Sequence, residues 1–185
     1  YFMRLVFLSL MLLFSLFSFA QADPQEITPE RLRKIKAEAE METAEYMRKL
    51  DTLELIHEEI VFKRETYLLD LIREKKTDMD YTTYGMNKAT SEWADGYDSL
   101  MNKYYNRLLK LLSPEDKKIL IAAQKAWLTY RDAEGKLITM MMNDEYSGGG
   151  TIQSNIATNN YCLLIVERTN SIFNYYSTII KTRQP

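Results

Sequence analysis

Residues 113–136, SPEDKKILIAAQKAWLTYRDAEGK, constrain the fold most, because they fit one kind of secondary structure only. Ser113 can cap a helix with its hydroxyl, and Pro114 suits the first helical position, where its missing N–H is not needed. Asp116 completes an S-x-x-[DE] capping box, and the first-turn acids Glu115 and Asp116 suit the positive end of the helix dipole. Beyond this turn Ile119, Ala122, Ala123, Ala126, Tyr130, Ala133, Leu137 and Met140 recur at intervals of three and four, one face of a helix. Trp127 widens that stripe, while Gln124, Lys125, Arg131, Asp132 and Lys136 fall beside or behind it. The spacing predicts a helix from Pro114 through Met142, with Trp127 and Tyr130 in or near the core.

The rest of the chain repeats this grammar. Thr28-Pro29-Glu30 opens a helix by the same cap-and-proline logic, after a short linker from Asp23 to Ile27. Leu32, Ile35, Ala39, Tyr46, Leu50, Leu53, His57, Ile60, Tyr67 and Leu71 then trace a narrow apolar seam among dense charges of both signs. No glycine or proline interrupts it between Glu30 and Lys76, so residues 23–77 read as one long charged helix with room for a single break. Such a seam suits a partner helix, within the chain or in a second copy. A further helix runs from about Tyr84 to Leu112 on Trp93, Tyr97, Leu100, Tyr104, Leu108 and Leu111. Gly96 inside it costs about 1 kcal/mol against alanine, which implies a close helix contact there. NDEYSGGG at 143–150 breaks the pattern. A last helix, to about Lys181, carries Ile152, Ile156, Leu163, Val166, Phe173, Tyr176 and Ile180 on one face. No strand-like alternation is sustained. The expected fold is all-α: an antiparallel bundle of three to four helices, with the long N-terminal helix packed on it or projecting.

Residues 1–22 read as a signal peptide: basic Arg4, an apolar run from Leu5 to Phe19 and an Ala20-Gln21-Ala22 cleavage site, with Met3 as the initiator. The run is short of the ~20 residues a spanning helix needs, so no membrane span is expected after cleavage. The expected location is periplasmic or secreted. Residues 23–77 and 78–182 then form the N-terminal helix and a helical domain.

Composition removes most chemistry. A net charge of −2 gives no nucleic-acid-binding face. The single histidine, His57, lies on a helical seam, which leaves no relay for nucleophilic catalysis. Glu54-x-x-His57 is half of a di-iron signature whose second half would need another histidine. One cysteine and one histidine about a hundred residues apart make no zinc site. Cys162, the lone cysteine, reads as a buried, inert thiol. The glycines at 148–150 lack the G-K-[ST] of a phosphate loop. No catalytic residue, metal or cofactor is expected.

AAQKAWLTYRDAE also resembles the core motif of the LprI-like lysozyme-inhibitor domain, Q-x-x-W-x-x-[YF]-R-D-x-x-C, through Gln124, Trp127, Tyr130, Arg131 and Asp132. Met86-Asn87 resembles an upstream M-N-x-C; Asp98, Met101-Asn102, Tyr105 and Leu108 resemble D-x-x-L-N-x-x-Y-x-x-L; Cys162 and Arg168 resemble the closing C-x-x-x-x-x-R. The likeness covers residues 78–176. Ala89 and Gly135 stand where family cysteines are expected, as Tyr81 does at a third place. The resemblance implies an exported, non-catalytic binding protein whose partner is another protein, a lysozyme, blocked sterically at its cleft. The motif residues read as structural, with Arg131 gripping a carboxylate on a neighbouring helix. For the binding edge the residues themselves point to Asp144, Glu145, Tyr146, Ser147, Gly148, Gly149 and Gly150: acids for a basic surface, an aromatic ring, and glycines that allow close backbone approach. Met140-Met141-Met142 before it read as core end-packing or as an adaptable edge. The alternative function is cell-envelope assembly, with self-association through the N-terminal helix.

Overall fold

Every regular element among the described residues, 23–183 of the computed structural model, is a helix: α1 Pro29–Lys49, α2 His57–Met79, α3 Thr83–Leu111, α4 Pro114–Met141, the single turn α5 Asp144–Ser147, and α6 Ile152–Thr182. The expected signal peptide at residues 1–22 lies outside the described residues. Three of the long helices, α1, α3 and α4, start on a side-chain cap. Thr28 Oγ1 accepts from Arg31 N at 3.3 Å, Thr82 Oγ1 from Gly85 N at 2.9 Å and Ser113 Oγ from Asp116 N at 3.2 Å.

Long helices that follow one another alternate in direction. Because α4 carries the chain back, α3 and α6 lie side by side and parallel, and theirs is the most extensive helix contact. Asn87 meets Ser154, Thr169 meets the Tyr97 carbonyl, and Arg183 meets the Leu111 carbonyl. α2 packs antiparallel on α3, α4 packs on α6, and α1 packs on α2.

The long N-terminal helix has its single break at residues 50–56, and it packs on the bundle instead of projecting. Asp51 Oδ1 accepts from Leu53 N at 3.0 Å, and Glu59 Oε2 accepts from Ile56 N at 3.2 Å. These side chains give the backbone an alternative to helix, and Leu53, expected on the seam, is 92% exposed. The returning α2 covers the α1 seam: Ile35, Ala39 and Thr43 are buried, and Tyr46 stacks on Tyr67 at 4.0 Å.

The core centres on Tyr104, which is wholly buried. Phe62 of α2 stacks on Phe173 of α6 at 3.8 Å, and the Tyr104 ring of α3 meets both edge-on. Carboxylates of α2 satisfy the polar ends of these aromatics. Glu65 accepts from the Tyr104 hydroxyl at 3.2 Å, and Asp70 accepts from Trp93 Nε1 at 2.7 Å and the Tyr97 hydroxyl at 3.1 Å. The close contact expected at Gly96 is with Leu69 of α2: an added Cβ would lie 2.5 Å from its Cδ2.

Two helices turn a different face inward from the one their spacing suggested. The α4 stripe of Ile119, Ala122, Ala123, Ala126, Tyr130, Ala133, Leu137 and Met140 faces solvent, and α4 packs instead through Leu120, Gln124, Trp127 and Arg131. Four of the eight stripe residues are alanines, which bury little, and the packed face presents the large Trp127 ring to both α3 and α6. On α6 the exposed positions include Ile152, Ile156 and Leu163, and Ala157, Cys162, Ile165, Thr169 and Ile172 are buried beside Phe173 and Tyr176. Small and polar members let α6 lie close against α3 there. Met140 and Met141 are nearly half exposed, so they do not end-pack the core.

Phe173→Ala is expected to destabilise the fold by about 3–5 kcal/mol in urea denaturation, since it empties the centre of the aromatic stack. Burial first, and then the Asp70 and Glu65 carboxylates, raise the Tyr97 and Tyr104 phenols well above their ordinary range. The folded chain therefore holds both neutral while the unfolded chain ionises them near pH ~10. Their contribution is intact below that pH and falls away as pH rises above it. The urea midpoint should drop more between pH 8 and pH 11 in the parent than in Tyr97→Phe/Tyr104→Phe.

Candidate partner-binding site

The family-like motif folds into a joint between α4 and α6. Gln124 accepts from Arg168 Nε at 2.9 Å and donates to the Met101 sulfur of α3 at 3.6 Å. Two guanidinium groups lie over the Trp127 ring, Arg131 at 5.4 Å and Arg168 at 5.9 Å from its centroid, and the indole packs against the cores around Tyr104 and around Trp93 and Tyr97. Burial lowers the Arg168 pKa, and its Nη2 is buried without a hydrogen-bond partner. Arg131 was expected to reach a neighbouring helix. It donates instead to Asp132, its chain neighbour, through Nε at 3.0 Å and Nη2 at 2.7 Å. The next-door carboxylate meets the guanidinium while its carbon lies over the Trp127 ring.

The other motif residues scatter. Tyr130 points away from the joint and is 52% exposed. Asn102 is exposed and donates to Asp98 at 2.9 Å, a bond within α3. Tyr105 is half-buried against the main core, and Cys162 is buried beside Trp93 and Tyr97. Burial pushes the Cys162 thiol up to about 11. Gly135 lies under the Tyr161 ring, where an added Cβ would be 2.9 Å from Cε2.

The corner at 143–150 is more ordered than its composition suggests. Asp144–Ser147 forms one helical turn, and Gly148, Gly149 and Gly150 all take positive φ (76°, 81° and 93°). Only glycine adopts such a run without strain. Ser147 pins the turn by donating to the Met142 carbonyl at 3.1 Å and accepting from Gly149 N at 3.1 Å. Gln153 Nε2 donates to the Ser147 carbonyl at 3.1 Å, which ties the corner to the first turn of α6. Asp144, Glu145 and Tyr146 are exposed at its outer edge. The loop residues are thus contiguous and the joint residues are contiguous, but the two groups are separate sites.

Between them runs an open groove of about 910 Å³ along α4 and α6, with Asp132, Lys136, Thr158 and Tyr161 in its lining. Thr158 and Tyr161 carry no motif signal; only their i, i+3 spacing on α6 could have indicated a shared face. Among the described residues no group of three or more His, Cys, Asp and Glu side chains is placed to hold a metal ion. No helix among them is long and apolar enough to cross a membrane.

The fold is a small all-α bundle in which Gln124, Trp127 and Arg168 join α4 to α6 and the acidic corner stands clear of the core. The sequence model of the family Lysozyme inhibitor LprI matches residues 74–171, more than half of the chain, and the chain belongs to that family. No curated protein and no solved structure matches it.

Two outcomes follow from this geometry. Cys162 should react with a thiol reagent at pH 8 about 100-fold more slowly in the folded chain than in urea, because both thiolate fraction and access are reduced. Arg168→Met should lower stability by about 1–3 kcal/mol in urea denaturation by unpairing Gln124.

Proposed function

We propose that this chain is an exported, non-catalytic inhibitor of a lysozyme, and that it acts by seating the 143–150 corner in the enzyme's substrate cleft. The family membership supports the activity class. The observation that carries the location is the corner itself: exposed Asp144, Glu145 and Tyr146 on a turn held by Ser147, Gln153 and three left-handed glycines. A lysozyme cleaves a glycan in a long cleft with two carboxyl groups, so an inhibitor needs only to fill that cleft and exclude substrate. A preordered wedge loses little entropy on binding. Its acids complement a basic enzyme, and the tyrosine supplies rigid contact area. Export to the periplasm or beyond is part of the same reading, since that is where such an enzyme meets its substrate.

The alternative, envelope assembly through the N-terminal helix, has less support. The α1 seam that would serve it is filled by α2.

The test is turnover of peptidoglycan by lysozyme with the chain from Asp23 onward titrated in. The parent should inhibit, and Glu145→Ala/Tyr146→Ala should inhibit about 30-fold more weakly at unchanged thermal stability. No inhibition by the parent would remove the activity, and equal inhibition by the variant would move the site elsewhere.

A further inference from the structure

The solvent-facing stripe of α4 has a stricter order than one helical face requires. Ala123, Tyr130 and Leu137 recur every seven residues, and so do Ile119, Ala126, Ala133 and Met140. The two rows interleave at steps of three and four over three heptads, the pattern of a two-helix seam. At 1.5 Å per residue the seam is ~32 Å long. Nothing among the described residues covers it: Ile119 is 68% exposed and Tyr130 52%, while α4 meets α6 through its opposite side.

We infer that this seam pairs antiparallel with the same seam of a second copy, about a two-fold axis between Gln124 and Lys125. Size and charge select that occupant. In this register Ile119 faces Tyr130 of the second copy and Ala123 faces Ala126, so large side chains meet at the flanks and alanines at the axis; the paired part ends where Ala133 faces Asp116, and Leu137 and Met140 extend past the second copy's α4. The two helices can then approach closely in the middle. Flanking the seam, Glu115 comes opposite Lys136 of the second copy, and symmetry makes the pair twice. Both ends of that pair are open to it. Lys136 has no ion-pair partner among the described residues, and Glu115 is held only by Lys118 at 2.9 Å, an exposed i, i+3 contact of small worth. Sliding the helices by one heptad sets Lys136 against Ala122 and leaves Glu115 without its partner, so the charges fix the register. A parallel pairing would bring Glu115 alongside acidic Asp116 and Glu115 of its neighbour at the same end, away from Lys136.

Sedimentation equilibrium of the chain from Asp23 onward tests this. A monomer–dimer equilibrium is expected at tens of micromolar. Ala126→Glu should abolish the dimer without lowering the melting temperature of the dilute monomer, because Ala126 is exposed. Glu115→Lys and Lys136→Glu should each weaken dimerisation about tenfold, and the two together should restore it. A chain that stays monomeric at 100 μM overturns the proposal. So does a dimer indifferent to Ala126→Glu, or a charge swap that fails to restore association. Lysozyme inhibition by Ala126→Glu equal to that of the parent would place the dimer seam apart from the corner, so the two proposals stand or fall separately.

Discussion

The stack of Phe62, Tyr104 and Phe173 is the contact on which the rest of the molecule is hung. It takes one ring from each of α2, α3 and α6, so the last helix shares a single packed centre with two helices far earlier in the chain. Aromatic rings bury much area for little rotamer freedom lost, which suits a chain with no internal disulfide available to it. The polar ends of the same residues set the rotation of each helix. A tyrosine hydroxyl or indole N–H buried without a partner would cost ~1–3 kcal/mol, and Glu65 and Asp70 of α2 remove that cost for Tyr104, Tyr97 and Trp93 at once. α2 therefore belongs to the core, although the motif-bearing part of the sequence begins after most of it.

How far the fold could be read from the sequence depended on what marked each element. Two starts were legible because caps are local: Thr28 and Ser113 each accept from the backbone N–H three residues on, while the Thr82 cap of α3 went unread. The α3 seam was legible because Trp93, Tyr97, Leu100, Tyr104 and Leu108 are large and inward at helical spacing. The break at 50–56 was permitted but not placed, since Asp51 and Glu59 end and restart the helix without glycine or proline. On α4 periodicity misled. The most regular face was half alanine, and the packed face was Leu120 and Trp127 with an arginine and a glutamine, which a hydrophobicity pattern scores as polar. The Arg131 partner was missed for a related reason: spacing identifies a face but cannot say that the nearest carboxylate is next in the chain.

This reversal changes what the family motif does. Gln124, Trp127 and Arg168 join α4 to α6 near the middle of both helices, and the corner at 143–150 is the turn between their ends. α4 has only Leu120 fully buried, so its position depends on that joint more than on apolar burial. In the proposed function the motif would act at a distance. It holds the two legs of the corner at a fixed separation, while Ser147, Gln153 and the left-handed glycines hold the tip. Motif residues that touch no partner would then still govern affinity, through the preorganisation of a loop they do not contact.

The positions where the family resemblance leads one to expect cysteine show how α4 is held without a covalent tie. Gly135 has no side chain, and the Tyr161 ring of α6 occupies the place a Cβ would take, within 2.9 Å of it. Ala89 is buried on α3, and Cys162 is buried beside Trp93 with its thiol kept neutral. A glycine under an aromatic ring brings two helix backbones close by shape alone, and it does so in any redox environment. The cost is that nothing limits the unfolded chain as a cross-link would. Aromatic stacking of α2 with α3 and α6 has to supply that stability instead, which is why the ring stack and the glycine contact are parts of one solution.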